Sequence, residues 1–263
     1  MARRWNVLAA LLALAALPAL GGSISYSTLP AVLPPNLPSE GYEANGIAQF
    51  GGLVELAGDA PANIVSATLL MSNGAYESNF ETVGTSQGYS ELLTLNIYAV
   101  EAGDTVGSLL ATDTVDALIP WRPEPTAGCG GSYMGSDGLC HGGSLSAVTF
   151  ELTFLAPAQL IYGLAYNTEH YGAEPTGTTG PYDSLNIALS QSDPSVGSNP
   201  LPGTAYVSYG SGSGVSAFSQ ETVGPYSGAI EFDNATGVPE PATFVFVGFG
   251  LGLIGMARRK LRG

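Results

Sequence analysis

Along the middle of this chain, apolar residues recur at every second position rather than every third or fourth. In Ala147–Phe154, Val148, Phe150, Leu152 and Phe154 alternate with Thr149, Glu151 and Thr153, the period of a strand with one buried face. Leu92–Val100 repeats the pattern, with Leu93, Leu95, Ile97 and Ala99 on one face and Thr94, Asn96 and Tyr98 on the other. Gln159–Asn167 keeps Leu160, Tyr162, Leu164 and Tyr166 in phase. Because it follows Pro157 so closely, it is expected to be the hairpin partner of Ala147–Phe154. Further strands are predicted at Ile47–Leu56, Ile64–Met71, Leu185–Leu189, Ala205–Tyr209 and Ala229–Phe232, with a weaker pattern at Leu109–Val115. No stretch of the body carries a helical period of useful length. Short strands punctuated by Gly, Pro and Asn turns predict an all-β fold, an antiparallel β-sandwich of jelly-roll type.

The pattern changes at both ends. Arg3 and Arg4 precede the apolar run Val7–Leu20, which closes on Ala19-Leu20-Gly21. A charged start, an apolar segment and small residues at the exit predict a secretory signal peptide over 1–22. Residues 23–44 are Pro-rich and are expected to form an extended leader, leaving 45–233 as the sandwich body. At the other end, Val238-Pro239-Glu240-Pro241 opens an uncharged, Gly-broken run that is predicted to be a membrane helix over 242–257. A basic tail over 258–263, with Arg258, Arg259, Lys260 and Arg262, follows it. That tail favours the cytoplasmic side.

A Pro-Glu-Pro entry, a short Gly-rich apolar run and a terminal arginine cluster together resemble the PEP-CTERM sorting signal of exopolysaccharide-producing Gram-negative bacteria. The resemblance implies that an exosortase, a membrane-embedded protease, cuts near the Pro-Glu-Pro and releases or transfers the body. It implies an inner-membrane-anchored precursor and then a cell-surface or extracellular product. The role expected there is structural or adhesive, within exopolysaccharide or biofilm.

Charge sharpens this picture. Six of the seven basic residues lie in the terminal segments, so Arg122 stands alone in the body against 21 acids. A body with a net charge near −20 repels nucleic acid and anionic lipid and draws divalent cations as counterions. Nucleic acid is therefore not an expected partner. The alternating apolar runs exclude an acidic disordered chain.

Chemistry-bearing residues are few. Cys129 and Cys140 in an exported chain read as one disulfide closing a Gly-rich loop. The adjacent Cys140-His141 lacks the spacing of a zinc site, and no resident metal is expected, with Ca²⁺ as the one admissible ion. Trp121 and Arg122 are the body's only tryptophan and only basic residue. They form either a sugar-stacking platform with a hydroxyl-fixing cation, or a packed sheet edge with one salt bridge. Tyr171, Tyr182 and Asp183 lie near Glu169 and His170, and either line a loop-end site for glycan or calcium or order a long loop. With two histidines and no Gly-x-Ser-x-Gly, His-Glu-x-x-His or dinucleotide fingerprint, the body is not expected to be an enzyme. A carbohydrate- or calcium-binding module is the alternative, and a two-carboxylate hydrolase stands behind it.

The body carries a second resemblance. Ile119-Pro-Trp-Arg-Pro, the Cys129/Cys140 pair, Ile161-Tyr-Gly-Leu-Ala-Tyr-Asn-Thr, His170-Tyr-Gly and Gly180-Pro-Tyr-Asp-Ser-Leu-Asn together look like a secreted bacterial β-domain seen often in actinobacteria. That family has no assigned activity. The likeness implies an exported single domain with one disulfide and transfers no catalytic residue.

Overall fold

The computed structural model describes residues 23–235. Within them the chain forms two antiparallel sheets facing one another across a shared apolar core. The first sheet contains β1 (Ser23–Ser27), β2 (Ser39–Gly41), β4 (Ala62–Asn73), β9 (Ser144–Ala156), β11 (Leu185–Ser190), β14 (Ser227–Gly228) and β15 (Ile230–Asn234). The second runs β13 (Ser219–Thr222), β12 (Thr204–Tyr209), β3 (Ile47–Glu55), β10 (Gln159–Ala165), β5 (Gly88–Glu101) and β6 (Thr105–Pro120). A small ribbon, β7 (Tyr133–Met134) with β8 (Cys140–His141), stands apart. One turn of helix, α1 (Tyr42–Asn45), joins β2 to β3.

The alternation expected from the sequence is observed in β9 and β5, whereas β10 is buried on both faces, Ile161 as well as Leu160 and Tyr162. Val148, Phe150 and Leu152 of β9 are buried while Thr149, Glu151 and Thr153 are exposed, and Leu93, Leu95 and Ile97 of β5 face the core. The weak pattern at Leu109–Val115 belongs to a 16-residue strand in which only Ala117 and Ile119 are buried. An edge strand held by pairing with β5 has few core positions, so periodicity alone under-reports it.

Two expectations are corrected. Gln159–Asn167 is not the hairpin partner of Ala147–Phe154: β9 pairs with β4 in the first sheet, and β10 lies between β3 and β5 in the second. The chain at Pro157-Ala158 therefore crosses between sheets. An apolar strand can be buried in either sheet, so its pattern does not encode its neighbour. Residues 23–44 are not an extended leader. β1 pairs in the first sheet, Tyr26 is 1% exposed and Tyr42 is fully buried, so this segment builds part of the core.

The close approach of β3 and β10 has its own sequence cause. A Cβ at Gly51 would lie 1.6 Å from the Tyr162 carbonyl oxygen, so only glycine fits there. The two long edges of the sandwich differ. β6 lies against β9, where the Asp113 carboxylate accepts the Glu151 N–H at 2.8 Å, and that edge is closed. The edge bounded by β2 and β11 on one sheet and β12 and β13 on the other opens into a cleft.

Candidate functional site

Trp121 and Arg122 follow directly on β6 and serve the fold. Arg122 is 5% exposed, and its Nε and Nη2 donate to the Gly74 and Gly131 carbonyls at 2.7 Å each. Nη1 reaches the Pro123 carbonyl at 3.5 Å, and the guanidinium sits 4.6 Å above the Tyr76 ring. The expected salt bridge is absent: among the described residues Arg122 has no carboxylate partner, because the loop folds its own carbonyls around the cation. Trp121 packs between Tyr89 and Phe80, ring centroids 5.1 and 6.2 Å away, and donates Nε1–H to the Thr85 carbonyl at 2.7 Å. The Cys129–Cys140 disulfide closes the same loop, and buried Tyr133 donates to the Pro35 carbonyl at 3.0 Å.

This end of the sandwich also holds a core-facing carboxyl. Glu91 sits between Tyr89 and Leu93 on β5 and is half-buried. Burial, with the charges of Asp116 and Asp183 added, pushes it up to about 8.

The loop from Tyr166 to Ser184 carries the second group of expected site residues. Asp183 accepts the Glu169 and Gly180 N–H groups at 2.7 and 2.9 Å. Burial raises its carboxyl, and those two amides pull the other way. The Tyr182 hydroxyl donates to the Thr178 carbonyl and accepts from Thr176 Oγ1 at 2.9 Å. Tyr171 packs beside Gly46, whose left-handed φ of 70° ends α1. Asp183, Tyr182 and Tyr171 therefore shape the loop.

What that shape presents is a triad. His170 Nδ1 lies 2.5 Å from Glu43 Oε1, and its Nε2 lies 3.8 Å from Glu169 Oε1. The Glu43 hydrogen bond raises the His170 imidazole. Burial acts to raise the Glu43 carboxyl, but bonds from Thr168 and His170 outweigh it and hold the group below its usual range. Sequence reading noted His170 and Glu169 but not Glu43, which lies 127 residues from His170.

The cleft at the open edge, about 600 Å³, has a floor of Ile47, Phe50, Leu189 and Val207. Its polar rim comprises Glu40, Asn45, Tyr209, Glu221 and Tyr226. A bulge between Ser208 and Tyr209 shifts the β12–β3 register, the kind of irregularity that re-aims a side chain. Asn45 Nδ2 donates to Glu40 Oε1 at 2.5 Å, and Ser219 Oγ donates to Glu221 Oε1 at 3.0 Å. Burial raises the Glu40 carboxyl, with the Asn45 bond opposing. The Tyr209 hydroxyl is raised by burial and then by the charges of Glu221 and Glu40, so both carboxylates act on one phenol. None of these rim residues was singled out in the sequence, because they come from strands and turns far apart in the chain.

The architecture is thus that of an all-β antiparallel domain with a polar-rimmed apolar cleft. Residues 237–262 match the PEP-CTERM protein-sorting motif. The chain carries an exosortase sorting signal, which marks it for export as a membrane-anchored precursor. Val238, Pro239, Glu240, Pro241, Arg258 and Arg259, like the expected signal peptide and membrane helix, lie outside the described residues. No curated protein and no solved structure matches the chain.

Proposed function

We propose that exosortase processing delivers this protein to the cell surface or extracellular matrix, where the body is a non-enzymatic adhesive module that holds exopolysaccharide in the open-edge cleft. The observation that carries the reading is the lining: Tyr209 and Tyr226 share one cleft with the apolar Ile47, Phe50, Leu189 and Val207 and with the polar Glu40, Asn45 and Glu221. Aromatic rings cover the apolar faces of a sugar, while carboxylate and amide groups fix its hydroxyls. A body with a single buried cation suits a neutral glycan better than an anionic one, since fixed negative charge repels like charge. The expected platform at Trp121 does not support this role, because its ring and N–H are engaged within the fold. Glycan-array and calorimetric binding of the full chain, compared with Tyr209→Ala, tests the reading. Loss of glycan retention in the variant supports it, and equal retention refutes it.

One observation favours a second reading. Glu40 and Glu221 line the same cleft, burial raises the Glu40 carboxyl, and two carboxyl groups in one cleft are the equipment of glycoside hydrolysis. Reducing-end release from the bound glycan, abolished in Glu40→Gln, would establish that reading over the non-enzymatic one.

A further inference from the structure

We infer that Glu43, Glu169 and His170 form a three-ligand site for a divalent transition-metal ion of the zinc class. One oxygen from each carboxylate and one imidazole nitrogen all lie within 4.8 Å of one another. Zinc bonds such donors at about 2.0–2.2 Å. Glu43 and Glu169 stand at different ring nitrogens of His170, 2.5 and 3.8 Å away, so rotation of these side chains brings one oxygen of each and one nitrogen onto a single ion. An imidazole with two carboxylates selects zinc-class ions over calcium, which takes oxygen ligands.

The groups behind the ligands are already in place. Glu169 Oε2 accepts from Thr179 Oγ1 at 2.7 Å, and Glu43 Oε2 accepts the His170 N–H at 3.1 Å. Hydrogen bonds of this kind orient ligating carboxylates. The two supporting segments are fixed independently of any ion. Tyr42 of α1 is fully buried, stacks on Tyr166 at 4.2 Å and donates to the Leu164 carbonyl at 2.7 Å. Asp183 holds the Glu169 N–H at 2.7 Å on the other side. His170 is 62% exposed, which leaves an approach for the ion and open positions for water.

The rest of the body supplies no competing cation. It has no lysine, and its single arginine is enclosed by loop carbonyls and Tyr76 at the β6 end. An incoming ion displaces the proton shared between His170 and Glu43, and that proton leaves to solvent.

The test is calorimetric titration of the detergent-solubilised full chain with ZnCl₂, followed by Co²⁺ substitution to record an absorption band of a nitrogen-ligated ion. One zinc per chain is expected, with at least roughly tenfold weaker binding in His170→Gln and in Glu43→Gln. His141→Gln, which alters the chain's other histidine, and the cleft variant Tyr209→Ala leave zinc uptake unchanged, which separates this site from the proposed glycan cleft. The circular dichroism of His170→Gln should match that of the parent, because the side chain is exposed. Zinc binding that survives His170→Gln, or calcium binding with equal affinity that ignores that substitution, overturns the inference. So does the absence of stoichiometric zinc uptake by the parent chain.

Discussion

The β6 end of the sandwich and its open edge use the same kinds of residue to opposite ends. Around Arg122 and Trp121, the cation and the indole N–H are satisfied by main-chain carbonyls of Gly74, Gly131 and Thr85. In the cleft, Glu40 and Glu221 each take one hydrogen bond from a neighbouring side chain and line the same open space as Tyr209. A buried polar group without a partner is costly, so the first region reads as scaffold. The second keeps polar capacity at a concave surface, as a binding site must.

The contrast can be broken first at Arg122. Arg122→Met leaves two carbonyls without donors and removes the cation over Tyr76. It is expected to lower unfolding free energy by about 4 kcal/mol in urea melts, while glycan retention by the folded fraction is unchanged. A comparable loss of retention would mean that the β6 end belongs to the binding site. Next is the disulfide. Cys129→Ser with Cys140→Ser opens a loop whose ends are 11 residues apart and should cost about 3 kcal/mol in the chain-entropy account, again without altering the cleft.

Glu91 gives a smaller and pH-dependent effect. Its carboxyl holds a proton more tightly in the folded protein, up to about 8, than at its ordinary value of 4.5. Its contribution to stability is therefore complete below about 4.5 and is lost as pH rises through about 8. Thermal melts from pH 5 to pH 9 should show a decline that Glu91→Gln flattens; an equally steep decline in the variant would assign it to other groups. The smallest change in stability is expected in the cleft. Tyr209→Ala should leave the melting temperature within a degree or two while weakening glycan binding about tenfold, or roughly 1.4 kcal/mol.

Much of the scaffold was legible because strand patterning is local. Val148, Phe150 and Leu152 announce a buried face wherever β9 is placed, and the two cysteines of an exported chain announce their bridge. What failed was the partner of each strand. β9 and β10 share an apolar period but join different sheets. Tyr26 and Tyr42 look like residues of a polar, Pro-rich lead-in until the core that encloses them is assembled. The site residues followed the same rule. Asp183, Tyr171 and Tyr182 stand out as a sequence cluster, yet their contacts hold the loop. Glu43, Glu40, Tyr209 and Glu221 are unremarked in the chain and meet only in space.

By itself the sequence determined the address, the fold class and the charge. The Pro-Glu-Pro entry with its basic tail is read by a membrane enzyme as a linear signal, alternation is a nearest-neighbour property, and one arginine against 21 acids needs no coordinates. Tertiary structure decided which carboxylates converge. Bringing Glu43 to His170 and Tyr209 to Glu40 depends on sheet assignment, one bulge and one helical turn anchored by buried Tyr42. Those are long-range choices fixed by packing of the core, and no local run of residues encodes them.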